Sequence, residues 1–407
     1  MRRLYTLSMY LYELVIKIAA CLGNSKARLW IQGRKEKWTS IGGKGKLLWM
    51  HVSSLGEFEQ GRPVLEQIKQ QYPTIRILLT FFSPSGYEVR KNYSLADKVM
   101  YLPLDVPKRV RAFLNYYAPD VAVFVKYDFW YNYLNELHER KIPIFFISVS
   151  LRPSQVFFKW YGVFFRKHLK KVTYFFAQRE QTCKLLQAIG IKPCMVAGDT
   201  RFDRVITVAK QRKRWSVLDN FTRGHKVYVG GSTWLEDEKY IARALEWFSD
   251  VKFIVVPHEV NEARIAQIEA LMPGKTIRYS LCNDEMLNFP QVLIVDQIGM
   301  LSSIYAYATV AHIGNGFGSG IHNTLEAAVY GVPVIFGPKY HKFPEAVELI
   351  NLGAAFSFSN FEMYKRILEK LFYEDVQSIR EKARHYVFSQ AGATNKILKI
   401  LENYLRE

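Results

Sequence analysis

Short apolar runs, each followed by an amphipathic stretch, recur in two series along this chain. No other feature constrains its fold as much. The first series is LLWMHVS at 47–53 with a helix from about Glu57, IRILLTFF at 75–82, VAVFVKY at 121–127 with a helical YNYLNELHER, and IPIFFISVS at 142–150. The second is KVYVGGS at 226–232, KFIVVPH at 252–258, QVLIVD at 291–296, and TVAHIGN at 309–315 leading through a helix to VPVIFGP. Runs that stay apolar without alternating mark strands buried on both faces, and helices between them mark a covered parallel sheet. Two such series in 407 residues predict two doubly wound α/β domains. The junction falls near Gly198–Asp203, and the last stretch, 376–406, reads as helical. In such sheets ligands bind at the carboxyl ends of the strands, so the chemistry should lie just after the apolar runs.

Charge divides the chain in the same place. The net charge is +19, of which +17 lies in residues 1–200 and +2 in 201–407. A basic half fits a phosphate-bearing partner: a nucleic acid, an anionic membrane surface or a phosphorylated substrate. Basic strands interleaved with stacking aromatics, the mark of an RNA-binding module, do not stand out, so no nucleic-acid partner is expected. With 49% apolar and 23% charged residues the chain is not disordered. Cys21, Cys183, Cys194 and Cys282 form no C-x-x-C pair, which predicts free thiols, a reducing compartment and no zinc site.

Residues 1–22, MRRLYTLSMYLYELVIKIAACL, are the most apolar stretch. Glu13 and Lys17 interrupt it, which argues against both a cleaved signal and a spanning helix. A helix lying in the membrane interface fits better, with Arg2, Arg3, Lys17 and Lys26 meeting anionic headgroups. The alternative is a helix docked on the protein's own core.

The strongest local motif is GNGFGSGIHNTLEAAVYGVPVIFGP at 314–338. Gly314, Gly316, Gly318 and Gly320 permit close backbone approach to a ligand, and Asn323 or Thr324 can cap the helix that comes after. Free amides and the helix dipole there favour a phosphate, and Glu326 can accept hydrogen bonds from a ribose diol. Weaker signals are Ser232-Thr233 at a helix start, Pro257-His258 at a strand end, and Gly299 between Ile298 and Met300. In the first half, Ser54-Leu55-Gly56-Glu57 comes directly after a strand, and Glu57 is a candidate general base for a hydroxyl. The turn with Ser83 and Ser85 is a similar polar loop. No H-E-x-x-H, G-x-S-x-G or P-loop is present.

Together these residues resemble the Kdo transferases, the 3-deoxy-D-manno-octulosonic acid transferases of lipopolysaccharide synthesis. The motifs that carry the resemblance are S-x-G-E at Ser54–Glu57, S-P-S-G at 83–86, W-x-N at Trp130–Asn132, and G-x-x-(basic)-F-D at Gly198–Asp203, then G-S-T at 231–233 and H-N-x-L-E at 322–326. The resemblance implies the GT-B fold, two Rossmann-like domains facing across a cleft. It implies a membrane-associated helix at 1–25, an acceptor domain at 26–200, and a CMP-sugar domain at 201–407 whose last helix can cross back. The implied activity is inverting transfer of Kdo from CMP-Kdo to a lipid A precursor, with no metal and no cofactor, at the cytoplasmic face of the inner membrane. An anionic membrane surface is the implied further partner.

The resemblance also assigns roles. Glu57 is the base, with Arg201, and here Lys126, meeting charge at the reaction centre. Ser54, Gly56, Ser83 and Ser85 fall on the acceptor side. CMP falls on Ser232, Thr233, Pro257 and His258; on Ile298, Gly299 and Met300; and on Gly316, Gly318 and Asn323-Thr324-Leu325-Glu326. The chain departs from the family at four places. Lys126 replaces the first Glu of the usual M-E-T-E-L-W-P-N segment, here Val125–Asn132, and His258 replaces an Arg. Met300 replaces a Glu, and the Arg of the usual N-A-R-L-S is displaced to Arg152. The alternatives are a GT-B enzyme acting on a UDP-sugar, transferase or epimerase, and a non-catalytic membrane-binding relative.

Overall fold

The computed structural model describes residues 1–286 and 289–406. They form two compact units, one of Met1–Arg204 with Ala391–Glu407, the other of Val205–Gln390. The last helix, Ala393–Leu405, which the sequence allows to cross back from 201–407, lies in the first unit. Its Ile397, Leu398, Leu401 and Leu405 join that unit's core.

The first unit is built on strands β1 (Leu47–Val52), β2 (Arg76–Phe81), β3 (Lys98–Tyr101), β4 (Val121–Val125), β5 (Ile144–Val149), β6 (Tyr174–Ala177) and β7 (Cys194–Val196). They pair in the order 3-2-1-4-5-6-7, and every pairing is parallel. All six residues of β1 are buried, as expected of a central strand covered on both faces.

The second unit is also a seven-stranded sheet, of β8 (Lys226–Thr233), β9 (Val251–Pro257), β10 (Thr276–Arg278), β11 (Val292–Ile294), β12 (Val310–Ile313), β13 (Val334–Phe336) and β14 (Ala355–Ser357), in the different order 10-11-9-8-12-13-14. In each unit the order reverses beside the first strand, and that switch point opens a crevice at the carboxyl ends.

Three helices of the first unit bear on its chemistry and its surface: α1 (Arg2–Cys21), α2 (Ser25–Gly33) and α3 (Leu55–Gln71). α1 is long and apolar enough to cross a membrane by length and composition, yet only Ala20 on it is buried. Leu4, Leu7, Leu11 and Ile18 are all more than half exposed. The helix is nonetheless fixed to its unit. The Tyr5 hydroxyl donates to Asp105 at 2.6 Å, Arg109 pairs with Glu13 at 3.0 Å, and Arg2 donates to Asn132 at 3.1 Å.

The cysteines depart from the sequence expectation. Cys183 and Cys194 form a disulfide, while Cys21 and Cys282 are free. The helix Glu180–Ala188 is succeeded closely by β7, and the turn between them folds Cys183 back over that strand. The thiols therefore no longer argue for a reducing compartment.

Candidate functional site

In the first unit the site grows from the turn between β1 and α3. Ser54 is extended and accepts the Glu57 amide on its side chain, starting α3 in the way Ser caps a helix. That places Glu57 in the first turn. Its Oε2 accepts the backbone N–H of Ser53 at 2.6 Å. The Ser53 hydroxyl donates to Asp128, just past β4. Glu57 and Asp128 also hydrogen-bond each other.

Burial raises the Glu57 carboxyl, and the Ser53 amide and the charge of Lys126 pull it part of the way back. Burial, then the Glu57 charge, pushes Asp128 up to about 8. Two carboxyls this close hold one proton between them near neutral pH. Asp128 is thus the donor that leaves Glu57 ionised.

Lys126 reaches this pair from a strained backbone, with φ at +62°. Three other non-glycine residues with left-handed φ sit at strand ends or in the adjoining loops: Ser148, Ser232 and Asn315. Strain of this kind is kept where geometry matters, and these four lie at the carboxyl ends of β4, β5, β8 and β12.

Beneath the carboxyl pair, His51 is fully buried and held neutral. Trp130 donates its indole N–H to His51 Nε2 at 3.0 Å, while Nδ1 meets the Thr80 hydroxyl at 2.9 Å. Burial lowers its pKa to about 3. The 3.5 Å approach of His51 Nε2 to Asp128 is therefore a contact between neutral groups, not an ion pair.

Ser83 lies beside the same turn, its amide bonded to the Ser53 carbonyl at 2.9 Å and its hydroxyl to Ser85 at 2.8 Å. A side chain at Gly86 would collide with Phe81. Asn132 serves packing, since it bonds Asp105 through its amide and its side chain. Arg201 is clamped by Asp199 at 2.7 Å. Next to it, the Thr200 hydroxyl donates to the carbonyl of Gln60 on α3 at 2.5 Å. The chain thereby anchors Arg201 to the helix that carries Glu57.

In the second unit the site gathers at the ends of β8, β9 and β12. Asp237 Oδ2 accepts the amide of Trp234 at 2.9 Å and that of Asn315 at 2.8 Å, tying the loop after β8 to the glycine-rich loop. Burial raises the Asp237 carboxyl, but hydrogen bonding to His312 and to these amides leaves it below its usual range.

The rings of Trp234, His258 and His322 stack in series, with centroids 5.0 and 4.5 Å apart. Trp234 donates to His322 Nε2 at 3.4 Å. Burial, and then the charge of His258, lowers His322 to about 4. Glu326 accepts from the Asn323 side chain at 3.0 Å, and Asn323 Oδ1 accepts the Leu325 amide at 3.1 Å.

The structure revises two expectations at this loop. The helix after the glycines is a turn of four residues, Leu325–Ala328, so a helix dipole contributes little at that point. The glycines also serve the protein's own backbone. A Cβ on Gly314 would lie 2.1 Å from the Ser232 carbonyl oxygen, and one on Gly316 2.4 Å from the Gly337 amide. One on Gly318 would meet the Asn315 side chain. Gly299, with φ at +89° and open space around it, is free to approach a ligand.

The side chains of Thr233, Met300, Thr324 and Leu325 are buried, so contact from them to a ligand runs through backbone. The Thr233 hydroxyl is spent on Glu238 at 2.8 Å. Ile298 is almost fully exposed, and Pro257 ends β9 paired with Thr233.

Sequence reasoning missed Asp128, His51 and Asp237. Asp128 had a signal: it occupies the second acidic place of the Val125–Asn132 segment, where only the first has changed sign.

The chain is similar to known proteins. Residues 26–204 match the family model described as 3-Deoxy-D-manno-octulosonic-acid transferase (kdotransferase). The 3-deoxy-D-manno-octulosonic acid transferase of Aquifex aeolicus is 27% identical over 83% of this chain and 89% of its own length. The enzyme of the same name from Haemophilus influenzae is 25% identical over 88% and 87%.

Among solved structures, the UDP-GlcNAc 2-epimerase of Neisseria meningitidis superposes with a TM-score of 0.61, covering 88% of this chain and all of its own, at 15% identity. A 2-epimerase described as putative, from Listeria monocytogenes, gives 0.60 at 14% identity, over 89% and 97%. These likenesses establish the fold, two doubly wound units of the GT-B type. In sequence and coverage the chain is similar to the 3-deoxy-D-manno-octulosonic acid transferases.

Proposed function

We propose that this protein moves Kdo from CMP-Kdo to a hydroxyl of a lipid A precursor, inverting the anomeric centre. The observation that carries the reading is the Glu57–Asp128 pair, a carboxylate and its proton-holding neighbour at the carboxyl end of the first sheet. Glu57 takes the proton of the acceptor hydroxyl as its oxygen attacks the anomeric carbon. Asp128 keeps the pair's single proton, so Glu57 is free to accept another. Lys126 and Arg201 offset negative charge around the reacting centre. Ser54, Gly56, Ser83 and Ser85 line the approach of the acceptor.

The second unit takes CMP. Ser232, the ring stack at His258 and His322, the backbone at Gly299, and the Asn323–Glu326 turn form its surface. α1 lays its exposed leucines on the cytoplasmic face of the inner membrane, where the acceptor lies, with Arg2, Arg3 and Lys17 at the anionic headgroups.

One experiment tests the reading. The purified protein is incubated with CMP-Kdo and a lipid A precursor, and the lipid is read by mass spectrometry. Addition of one or more Kdo masses is expected. An unchanged lipid, with CMP-Kdo intact, overturns the proposal.

A further inference from the structure

The first unit encloses a cavity of about 700 Å³ that none of the residues around Glu57 lines. Its walls come from α1, from α2 with the turn after it, from the end of β3, and from the helix Pro107–Tyr117. Trp30, Met100 and Leu104 form its buried, apolar part, with Trp38 half-buried beside them. Lys35, Lys37 and Lys108 form its exposed part, and Lys98 is half-buried. Among the described residues none of these four lysines pairs with a carboxylate. The two acids in the lining are already engaged. Glu13 holds Lys17 and Arg109, and Glu36 accepts from the Tyr87 hydroxyl at 3.1 Å.

Arg34 sits where the two parts meet. Its guanidinium lies over the rings of Trp30, Phe82 and Tyr101, at 3.7, 4.8 and 5.0 Å. It donates to the carbonyls of Trp30, Phe82 and Leu102, and among the described residues no carboxylate pairs with it. Beside it the indole N–H of Trp30 is buried without an acceptor among those residues. A guanidinium short of a counter-ion and an unused donor, in one pocket with an apolar floor, fit an anion carried on an apolar stem.

We propose that this cavity binds an anionic lipid, its acyl chain against Trp30, Trp38, Met100 and Leu104 and its phosphate at Arg34 and the lysines. Tyr10, Glu13 and Lys17 of α1 belong to the wall, so the helix with the exposed apolar face also borders this site. The ligand chemistry, a phosphate uncompensated by a headgroup cation and joined to acyl chains, is shared by bilayer lipids such as phosphatidylglycerol and by a lipid A precursor. The site lies apart from Glu57, and the inference rests on binding, not on the sugar transferred.

The test uses the full chain in a non-ionic detergent, titrated separately with phosphatidylglycerol, phosphatidylcholine and a lipid A precursor, with bound lipid counted by native mass spectrometry. At least one of the two anionic lipids should bind tenfold or more tightly than phosphatidylcholine, and the tighter of the two names the source. The double variant Lys98→Glu/Lys108→Glu should reduce that binding at least tenfold. Lys35→Glu/Lys37→Glu, on the exposed turn, should do the same without touching a packed helix. Equal binding of phosphatidylcholine, absence of binding by both anionic lipids, or anionic binding unchanged in both double variants overturns the proposal.

Discussion

The carboxyl of Asp128 hydrogen-bonds that of Glu57, and Ser53 bridges the two, giving its amide to Glu57 and its hydroxyl to Asp128. A buried pair held this way is neither two charges nor none. It carries one negative charge whose place is set by the partners around it; the amide of Ser53 draws that charge toward Glu57, while Lys126 favours it on either carboxyl.

Glu57→Gln should therefore remove the base while preserving the helix turn. Turnover of CMP-Kdo should fall by about 10²–10⁴-fold, the usual range for a lost base. Calorimetry should still show CMP binding. Wild-type transfer by the purified variant would take Glu57 out of the reaction.

Asp128→Asn probes the shared proton through stability. The folded pKa of Asp128 is raised to about 8 from an ordinary value near 3.8, so the folded state binds the extra proton between those values. Its contribution is complete below about pH 4 and is lost as pH rises through about 8. The melting temperature of the wild type minus that of the variant should shrink between pH 5 and pH 9. A difference that stays constant or grows refutes the raised carboxyl.

Asp237→Ala should loosen the second unit's two loops together. Each hydrogen bond from an amide to this buried carboxylate is worth roughly 1.5–3 kcal/mol. Hydrogen exchange at the Trp234 and Asn315 amides should accelerate together, by at least tenfold. Acceleration at only one of them would mean that the loops are held separately.

Gly314→Ala tests whether the glycines serve packing. The new methyl group would lie 2.1 Å from the Ser232 carbonyl oxygen, so the loop must shift. Overpacking of this kind costs about 1–3 kcal/mol. A lowered unfolding midpoint in the absence of any nucleotide is the expected result, and an unchanged midpoint contradicts it.

Glu326→Ala should weaken CMP binding, because a ribose diol would lose hydrogen bonds to a charged group, each about 1.5–3 kcal/mol. Calorimetry with CMP alone gives the answer. An unaltered affinity takes Glu326 out of the nucleotide site.

The central strands were legible in the sequence because they are buried on both faces: VAVFV and LLWMHV have no polar side to confuse the pattern. The short edge strands β10 and β14 were not, since three residues, most of them partly exposed, carry no periodicity of their own. Glu57 was legible because a cap, a glycine and an acid stand in sequence along the chain. Asp128 meets it only through the pairing of β1 with β4, a relation that local spacing does not record. The glycines at 314 and 316 read as room for a ligand to approach the backbone. What approaches is the backbone at Ser232 and Gly337, which no local reading could supply. The disulfide was missed for the same reason, since an eleven-residue gap matches no motif.

Asp203 receives the amide of Gly392 and both the amide and the hydroxyl of Thr394. These bonds join points 189 residues apart within the first unit. Topologically, everything between them is an insertion. Loop-closure entropy grows only with the logarithm of loop length, so the first unit hardly feels how long the insertion is. A lineage can therefore lengthen, trim or exchange the second unit while the last helix stays docked, and one carboxylate is the clasp that permits it.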